Sequence, residues 1–208
     1  MRIWDVAPGY LNRQSLLGEH RELHGLYSIL VNGKTGYSRH PETVRWVGCL
    51  TGLTRRHDLL VAEMRLRGYH HLSPLAGRRA ELRWPRAFVD EPPRQYSILR
   101  SKYRDREPGR LALPRSARQL WDQHKYSILA RDPALYGRIR RRVRRPRRGA
   151  DLASLANELV LVLRQPPSAA SLTRAVERLW CDGEDLMAST LVTELVLNGG
   201  TACLPACW

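Results

Sequence analysis

The sequence predicts a mostly α-helical fold. Apolar residues recur at helical spacing in several segments, caps and stop residues bracket these segments, and no stretch alternates apolar and polar residues ahead of a hairpin turn. The chain has 208 residues, of which 43% are hydrophobic. It is therefore long enough for one domain with a small helical appendage and apolar enough to bury a core, so wholesale disorder is not expected.

Two helices are predicted in the first 70 residues. The first spans residues 12–31 with Asn12 as its cap, and its buried face carries Leu16, Leu23, Tyr27 and Leu30. The second spans residues 53–67 and ends before Gly68, and one of its faces carries Leu53, Leu60 and Met64. Away from that face lie three arginines, Arg55, Arg56 and Arg65.

The rest of the chain combines proline-rich loops with further helices. Between about residues 70 and 114 helical periodicity is broken by six prolines: Pro74, Pro85, Pro92, Pro93, Pro108 and Pro114. Helix resumes at residues 117–130, and Asp132-Pro133 predicts the capped start of another helix. Helices are also predicted at residues 151–163 and 172–180. Residues 181–208 follow no clear pattern, and we interpret them as a loosely attached tail.

Positive charge is concentrated in the first 150 residues. The whole chain holds 35 Lys and Arg against 20 Asp and Glu, a net charge of +15, and residues 1–150 alone carry +19. Such an excess predicts a polyanionic partner, most often nucleic acid. The densest run, residues 138–148, has eight arginines in eleven positions. We expect this run to hold DNA without base recognition and with a steep salt dependence.

Several classes of protein and site are not expected. The longest apolar run, residues 159–163, is too short to span a bilayer, and the N-terminus lacks the apolar segment of a signal peptide, so we expect a cytoplasmic, nucleoid-associated location. The four cysteines form no CxxC pair, which predicts reduced thiols. His70 and His71 are adjacent and so point to different faces of a helix, and no carboxylate or cysteine lies at ligand spacing. We therefore predict no metal and no cofactor.

Glu22 is the most informative side chain of the first predicted helix. It lies away from the buried face, and the residues one turn before and after it, Gly18 and Gly25, are both glycine. Two helical glycines cost about 1 kcal/mol each relative to alanine. Either another backbone, such as that of DNA, approaches the Glu22 carboxylate closely, or another helix of the same chain packs into this notch.

Five short motifs in the first 70 residues resemble one known family. They are Met1-Arg2-Ile3, Glu19-x-Arg21-Glu22-Leu23, Asn32-Gly33-Lys34, Leu53-x-Arg55-Arg56 and Ala62-Glu63-x-x-x-Arg67-Gly68-Tyr69. Their order and spacing resemble the pyrimidine-dimer DNA glycosylases, the endonuclease V family of the bacteriophage type. The resemblance covers about a third of the chain.

The resemblance implies a compact helical enzyme with two activities on damaged DNA. In this family the N-terminal α-amine attacks the anomeric carbon of the damaged nucleotide and expels the base, and β-elimination of the resulting imine nicks the strand. A glutamate matching Glu22 is the acid/base, an arginine matching Arg21 contacts DNA, and one matching Arg2 helps to hold the site. An α-amine suits this role because its ordinary pKa, about 7.7–8, is far below the value of about 10.4 for lysine.

The sequence departs from the phage members of the family at three positions. Their nucleophile is an N-terminal threonine, whereas Met1 stands here, and we predict that the amine of Met1 itself is the nucleophile. Ser15 and Gly25 replace a histidine and an arginine of the phage pattern. Both replacements leave the lesion open, so an alkylated or otherwise modified base is an alternative to a pyrimidine dimer. A non-catalytic nucleic-acid-binding protein is a further alternative.

From these patterns we expect a base excision repair enzyme of three parts that acts as a monomer. Residues 1–115 form the catalytic domain, residues 116–180 a helical extension with the arginine-rich run, and residues 181–208 the tail. The partner is double-stranded DNA with damaged bases or abasic sites, and no membrane is involved. The candidate catalytic residues are Met1 and Glu22. The candidate DNA-binding residues are Arg2, Arg21, Lys34, Tyr37, Arg39, His40, Arg55, Arg56, Arg140, Arg141 and Arg144.

Overall fold

Nine α-helices make up most of the residues that the structure, a computed structural model, describes: 1–76, 80–145 and 151–199. They are α1 (Arg13–Asn32), α2 (Pro41–Arg45), α3 (Leu50–Leu66), α4 (Pro92–Lys102), α5 (Ala117–Leu129), α6 (Pro133–Val143), α7 (Leu152–Leu163), α8 (Ala169–Cys181) and α9 (Leu191–Leu197). Two short 3₁₀ turns cover Pro8–Tyr10 and Leu186–Ala188. These described residues contain no strand, which confirms the predicted mostly α class.

Helix caps fix most of the predicted boundaries. The side chain of Asn12 accepts a hydrogen bond from the Ser15 amide at 2.9 Å and so starts α1. In the same way Asp132 starts α6 and Asp151 starts α7. These local signals are visible in the sequence, so the predicted starts of these helices are confirmed.

One helix occupies the region in which the sequence predicted only loops and short pieces. Helix α4 begins at Pro92, and Pro93 follows within its first turn. A proline is favourable there because the first amides of a helix have no intrahelical acceptor. The two prolines therefore begin a helix instead of breaking one. Helix α4 packs against α7.

The larger of two apolar clusters runs across the predicted boundary at residue 115. It joins the N-terminal segment, α1 and α3 to apolar residues of α5, α6 and α7. Helix α5 packs against α6, α7 and α8, and a second apolar cluster lies between α5, α8 and α9. The predicted helical extension thus shares its core with the first part of the chain.

The beginning of the predicted tail is firmly packed. Helix α9 lies against α3, and its residues from Leu191 to Val196 are buried. Arg131 donates two hydrogen bonds of 2.8 Å to the Glu194 carboxylate, and the Thr193 hydroxyl donates to Glu63 at 2.8 Å. The description of residues up to 199 as a loosely attached tail is therefore wrong.

The described helices include none that is both long enough and apolar enough to cross a membrane.

Candidate active site at the N-terminus

The N-terminal segment is held in place by contacts with distant parts of the chain. Ile3, Trp4 and Val6 are buried in the core. The Asp5 carboxylate, whose side chain is 3% exposed, accepts hydrogen bonds from Arg45 at 3.1 Å and from Arg164 at 3.0 Å. These contacts leave the first residues of the chain little freedom to move away from α1.

A buried ion pair joins this segment to α1 and α3. Arg56 on α3 donates hydrogen bonds of 2.7 and 2.8 Å to the two oxygens of Glu19 on α1, and a third of 2.8 Å to the Val6 carbonyl. The Trp4 amide donates to the same Glu19 carboxylate at 3.1 Å. Burial raises the pKa of Glu19, and the charge of Arg56 opposes that shift.

Arg56 is therefore a structural residue and not a DNA contact. Its residue surface is 3% exposed, and Glu19 and Val6 accept its hydrogen bonds. The prediction that Arg56 binds DNA is wrong because helical spacing does not distinguish a buried, paired arginine from an exposed one. Arg55 is half-buried, and its guanidinium lies near the charges of Glu194 and Arg131.

The result of this anchoring is that the first nitrogen of the chain lies beside Glu22. The Met1 amine is 3.9 Å from Oε1 of Glu22, and the Arg2 amide donates a hydrogen bond to Oε2. The Met1 side chain is 11% exposed, whereas that of Glu22 is 42% exposed. An amine and a carboxylate thus meet where the carboxylate is open to solvent, an arrangement suited to nucleophilic attack with acid/base assistance.

The main chain of Arg2 contacts Glu22, whereas its side chain is held by other residues. Its guanidinium pairs with Asp90 at 2.5 Å and lies 5.0 Å from the centre of the Trp4 ring. Asp90 precedes α4 and belongs to none of the motifs that pointed to the site, so sequence reasoning missed it. Arg21, on α1 beside Glu22, is exposed.

The glycine notch around Glu22 is open. Apart from its chain neighbours and the backbone of α1 itself, a Cβ atom added at Gly18 or Gly25 would meet no atom of the described residues within 4 Å. No helix in residues 1–76, 80–145 or 151–199 therefore packs into the notch. Of the two explanations for these glycines, packing by the same chain is excluded for these residues, and close approach by a partner is the one that the geometry permits.

The segment that contains Met1 and Glu22 is similar to a known protein family. Residues 1–76 match the family model of pyrimidine dimer DNA glycosylases. The resemblance inferred from the five motifs is thereby confirmed, and the family suggests a DNA repair glycosylase that acts on damaged DNA. No curated protein and no solved structure matches the chain.

One of the departures from the phage glycosylases lies inside the fold. Ser15, which stands where the phage members have a histidine, is buried at 3% exposure in the first turn of α1. It is not available to DNA in this structure. Gly25, which replaces an arginine, is exposed and leaves open space beside Glu22.

The loop after α1 presents three of the predicted DNA-binding side chains to solvent. Lys34 and Arg39 are exposed, and Tyr37 is 74% exposed with a φ of 58°. A left-handed backbone is uncommon for a tyrosine, and residues in such strained conformations cluster at binding and active sites. His40 is less available, because its Nδ1 accepts a hydrogen bond from the Glu42 amide at 3.1 Å and caps α2.

The arginine-rich run begins on α6, a helix that packs against α5, and continues past the end of that helix at Val143. Arg141 and Arg144 are exposed, and Arg140 is half-buried. The end of the run, residues 146–148, lies outside the described residues. These arginines follow residues 1–76, the segment that matches the glycosylase family model.

Four histidines lie close together next to α1, and among the described residues this cluster is the one whose side chains could together bind a metal ion. They are His20, His24, His57 and His71. Burial, together with the proximity of the other histidines, lowers the pKa of His20 to about 4, and burial also lowers the pKa of His24 and of His71. The sequence argument against a metal considered the adjacent pair His70-His71 and did not detect this cluster.

Proposed function

We propose that this protein is a DNA repair glycosylase with abasic-site lyase activity, in which the Met1 α-amine is the nucleophile and Glu22 the acid/base. The observation that carries the proposal is the distance of 3.9 Å between the Met1 amine and the Glu22 carboxylate. It is supported by the family match over the same residues, which by itself extends only to a glycosylase acting on damaged DNA.

The first step is displacement of the damaged base. The lone pair of the Met1 amine attacks C1′ of the deoxyribose, and the bond from C1′ to the base breaks. The electron pair of that bond leaves with the base, which takes up a proton. The Glu22 carboxylate stabilises the positive charge that develops on the sugar, because a negative charge held beside a developing cation lowers the barrier.

The second step is cleavage of the strand. The nitrogen gives up one of its two protons and its lone pair forms a double bond to C1′, while the C1′–O4′ bond breaks and O4′ takes up a proton. The sugar ring is then open and joined to the protein as a protonated imine. Glu22 then removes a proton from C2′, and the bond between C3′ and its phosphate oxygen breaks, so the downstream strand leaves with its 5′-phosphate. Water finally hydrolyses the imine and restores the free amine. No metal or cofactor takes part in either step of this scheme.

The partner proposed for this site is double-stranded DNA whose damaged nucleotide, or its opposing partner, is turned out of the stack. Lys34 and Arg39 contact phosphates, and Tyr37 stacks on an exposed base, as single aromatic residues do on unstacked nucleotides. Arg21 binds the strand next to Glu22. The α6 arginines add affinity that does not depend on sequence.

The substrate proposed by resemblance is a pyrimidine dimer. A second candidate is an alkylated or otherwise modified base, because Gly25 leaves open space where the phage members have an arginine, so the contacts that select the lesion differ there. A panel of duplexes, each with one lesion, distinguishes the two by which duplex is nicked fastest.

Trapping with borohydride tests the proposed chemistry. Borohydride reduces an imine to a stable amine, so the protein becomes covalently linked to abasic DNA if the imine forms. We expect efficient trapping by a protein with a free N-terminus and none by a protein whose N-terminus is extended by a tag. A matched control carries the same tag at the C-terminus. Trapping that persists with the N-terminus blocked assigns the imine to a lysine and contradicts the role of Met1.

The variant Glu22→Gln tests the carboxylate. It keeps the size of the side chain and one acceptor oxygen for the Arg2 amide, so binding of lesion DNA should be nearly unchanged. Strand cleavage should fall by roughly 10²–10⁴, the range that general acid/base groups contribute. Wild-type protein that shifts lesion DNA in a gel at low salt but never nicks it would instead be a non-catalytic binding protein.

A further inference from the structure

The four histidines converge on the face of α1 opposite Glu22. His20 and His24 are one turn apart on α1, His57 comes from α3, and His71 from the segment that follows α3. Each offers one ring nitrogen, and these four nitrogens all lie within 4.8 Å of one another. Two residues along a helix are about 200° of rotation. The cluster therefore lies on the other side of α1 from the proposed catalytic carboxylate.

Two of the histidines in this cluster have a ring nitrogen that is buried without a hydrogen-bond partner. The Nδ1 of His57 lies 3.0 Å from the Asp58 carboxylate and must donate to it, because an ionised carboxylate only accepts. The Nε2 of His57, on the other side of the ring, has no hydrogen-bond partner although His57 is 2% exposed. The Nε2 of His71 is likewise buried and unpartnered. An unsatisfied buried polar atom is costly, so two in one cluster call for an explanation.

We propose that His20, His24, His57 and His71 together bind one Zn²⁺ ion. Neutral imidazole nitrogens suit zinc, whereas Mg²⁺ and Ca²⁺ require oxygen ligands, which this set lacks. A tetrahedral zinc with bonds of about 2.0–2.1 Å separates its ligand nitrogens by about 3.3–3.4 Å. The Nε2 atoms of His20 and His24 are already 3.3 Å apart. Because all four nitrogens lie within 4.8 Å of one another, the widest pair must close by at most about 1.5 Å, which rotation of the rings achieves.

The contact between His57 and Asp58 is the arrangement that zinc-binding histidines use. A ligating histidine ordinarily donates its other ring N–H to a carboxylate or carbonyl, which fixes the ring and makes the ligating nitrogen more basic. The Asp58 carboxylate is in that position already. It also offsets part of the positive charge that the ion would bring.

Four protein ligands leave no open coordination position, so the ion has a structural role. It joins α1 to α3 and to the segment after α3, and this helix pair carries the Glu19–Arg56 contact that holds the N-terminal segment. The ion lies across α1 from Glu22 and takes no part in the glycosylase steps. The proposal therefore stands or falls independently of the proposed activity.

Metal titration of the full chain tests the site. Protein freed of metal with a chelator and carrying no histidine tag is titrated with Co²⁺ and then with Zn²⁺. We expect one Co²⁺ per chain with the intense visible bands of tetrahedral cobalt, displacement of cobalt by one equivalent of Zn²⁺, and a higher melting temperature with Zn²⁺. No stoichiometric binding, or only the weak bands of octahedral cobalt, overturns the proposal.

Substitutions show whether these histidines are the ligands. His24→Gln and His71→Gln should each weaken zinc binding by at least about 100-fold, and Asp58→Asn by about 10–100-fold. The matched control is His70→Gln, because His70 is exposed and adjacent to His71 but outside the cluster, so it should bind as the wild type does. Equal affinity in His24→Gln, His71→Gln and wild type overturns the assignment. If a variant fails to fold, the cobalt spectrum of the wild type decides alone.

Discussion

Alanine in place of the two glycines that flank Glu22 should change stability and activity in opposite directions. Gly18 and Gly25 lie inside α1, and a Cβ at either position would meet no described atom within 4 Å apart from its chain neighbours and the backbone of α1 itself. Each substitution therefore gains helix propensity without a clash, about 1 kcal/mol. For a chain of this size the double variant should melt about 4–8 °C higher.

Activity should fall because the added methyl groups lie one turn on either side of the Glu22 carboxylate. If the strand approaches the helix backbone there, even a displacement of about 1 Å at the reacting sugar costs on the order of 10²-fold in rate. We expect nicking of abasic DNA by the Gly18→Ala/Gly25→Ala variant to fall by roughly tenfold or more. Single-turnover nicking and thermal unfolding of the same preparations measure both effects.

Two other helical glycines provide controls. Gly137 on α6 has only the flexible end of Arg141 near its added Cβ, at 3.6 Å, so Gly137→Ala should stabilise the protein and leave nicking unchanged. A Cβ at Gly52 would lie 2.2 Å from the Arg83 carbonyl oxygen, so Gly52→Ala should destabilise it. A double variant at Gly18 and Gly25 that is more stable and nicks as fast as the wild type refutes the role of the notch in DNA approach.

Three further predictions follow from buried ion pairs and from the loop after α1. Arg131→Met leaves the Glu194 carboxylate buried without its partner. The free energy of unfolding measured in urea should therefore fall by about 3–5 kcal/mol, and a loss below about 1 kcal/mol contradicts the pairing. Burial works to raise the pKa of Glu63, but hydrogen bonds and charge from Arg110 outweigh it and hold that pKa below its ordinary value. The Glu63 carboxylate therefore contributes stability at pH values above its unfolded pKa, and this contribution is lost as the pH falls through the folded pKa. When the free energy of unfolding in urea is plotted against pH, it should fall less in acid for Glu63→Gln than for wild type, and parallel plots for the two proteins argue against this role of Glu63. Tyr37→Ala should weaken binding of lesion DNA by about 1–3 kcal/mol while Tyr37→Phe binds normally, and equal binding of all three proteins excludes stacking.

The sequence predicts those parts of the fold that depend on local signals. The caps Asn12, Asp132 and Asp151 act within four residues, so the helices that they start were predicted correctly. Helix α9 was missed because it has only seven residues, too few to be stable alone, and it forms through packing against α3. Helix α4 was missed because its first-turn prolines were interpreted as helix breakers.

The candidate site was predictable only in part for the same reason. The order of the N-terminal motifs pointed to Met1 and Glu22, which the structure brings together. Asp90 contacts Arg2 across 88 residues of chain, and no local pattern marks such a contact. The histidine cluster offers one local signal, the i, i+4 pair His20 and His24, whereas His57 and His71 join it only through the packing of α1 on α3.

Mapping the reduced adduct by mass spectrometry tests the central claim most directly. The protein is trapped on abasic DNA with borohydride, digested with protease and nuclease, and the peptide that carries the sugar remnant is sequenced. Our account predicts the remnant on the α-amine of the N-terminal peptide that begins at Met1, next to Glu22 in the structure. A remnant on Lys34 or on any other lysine contradicts it.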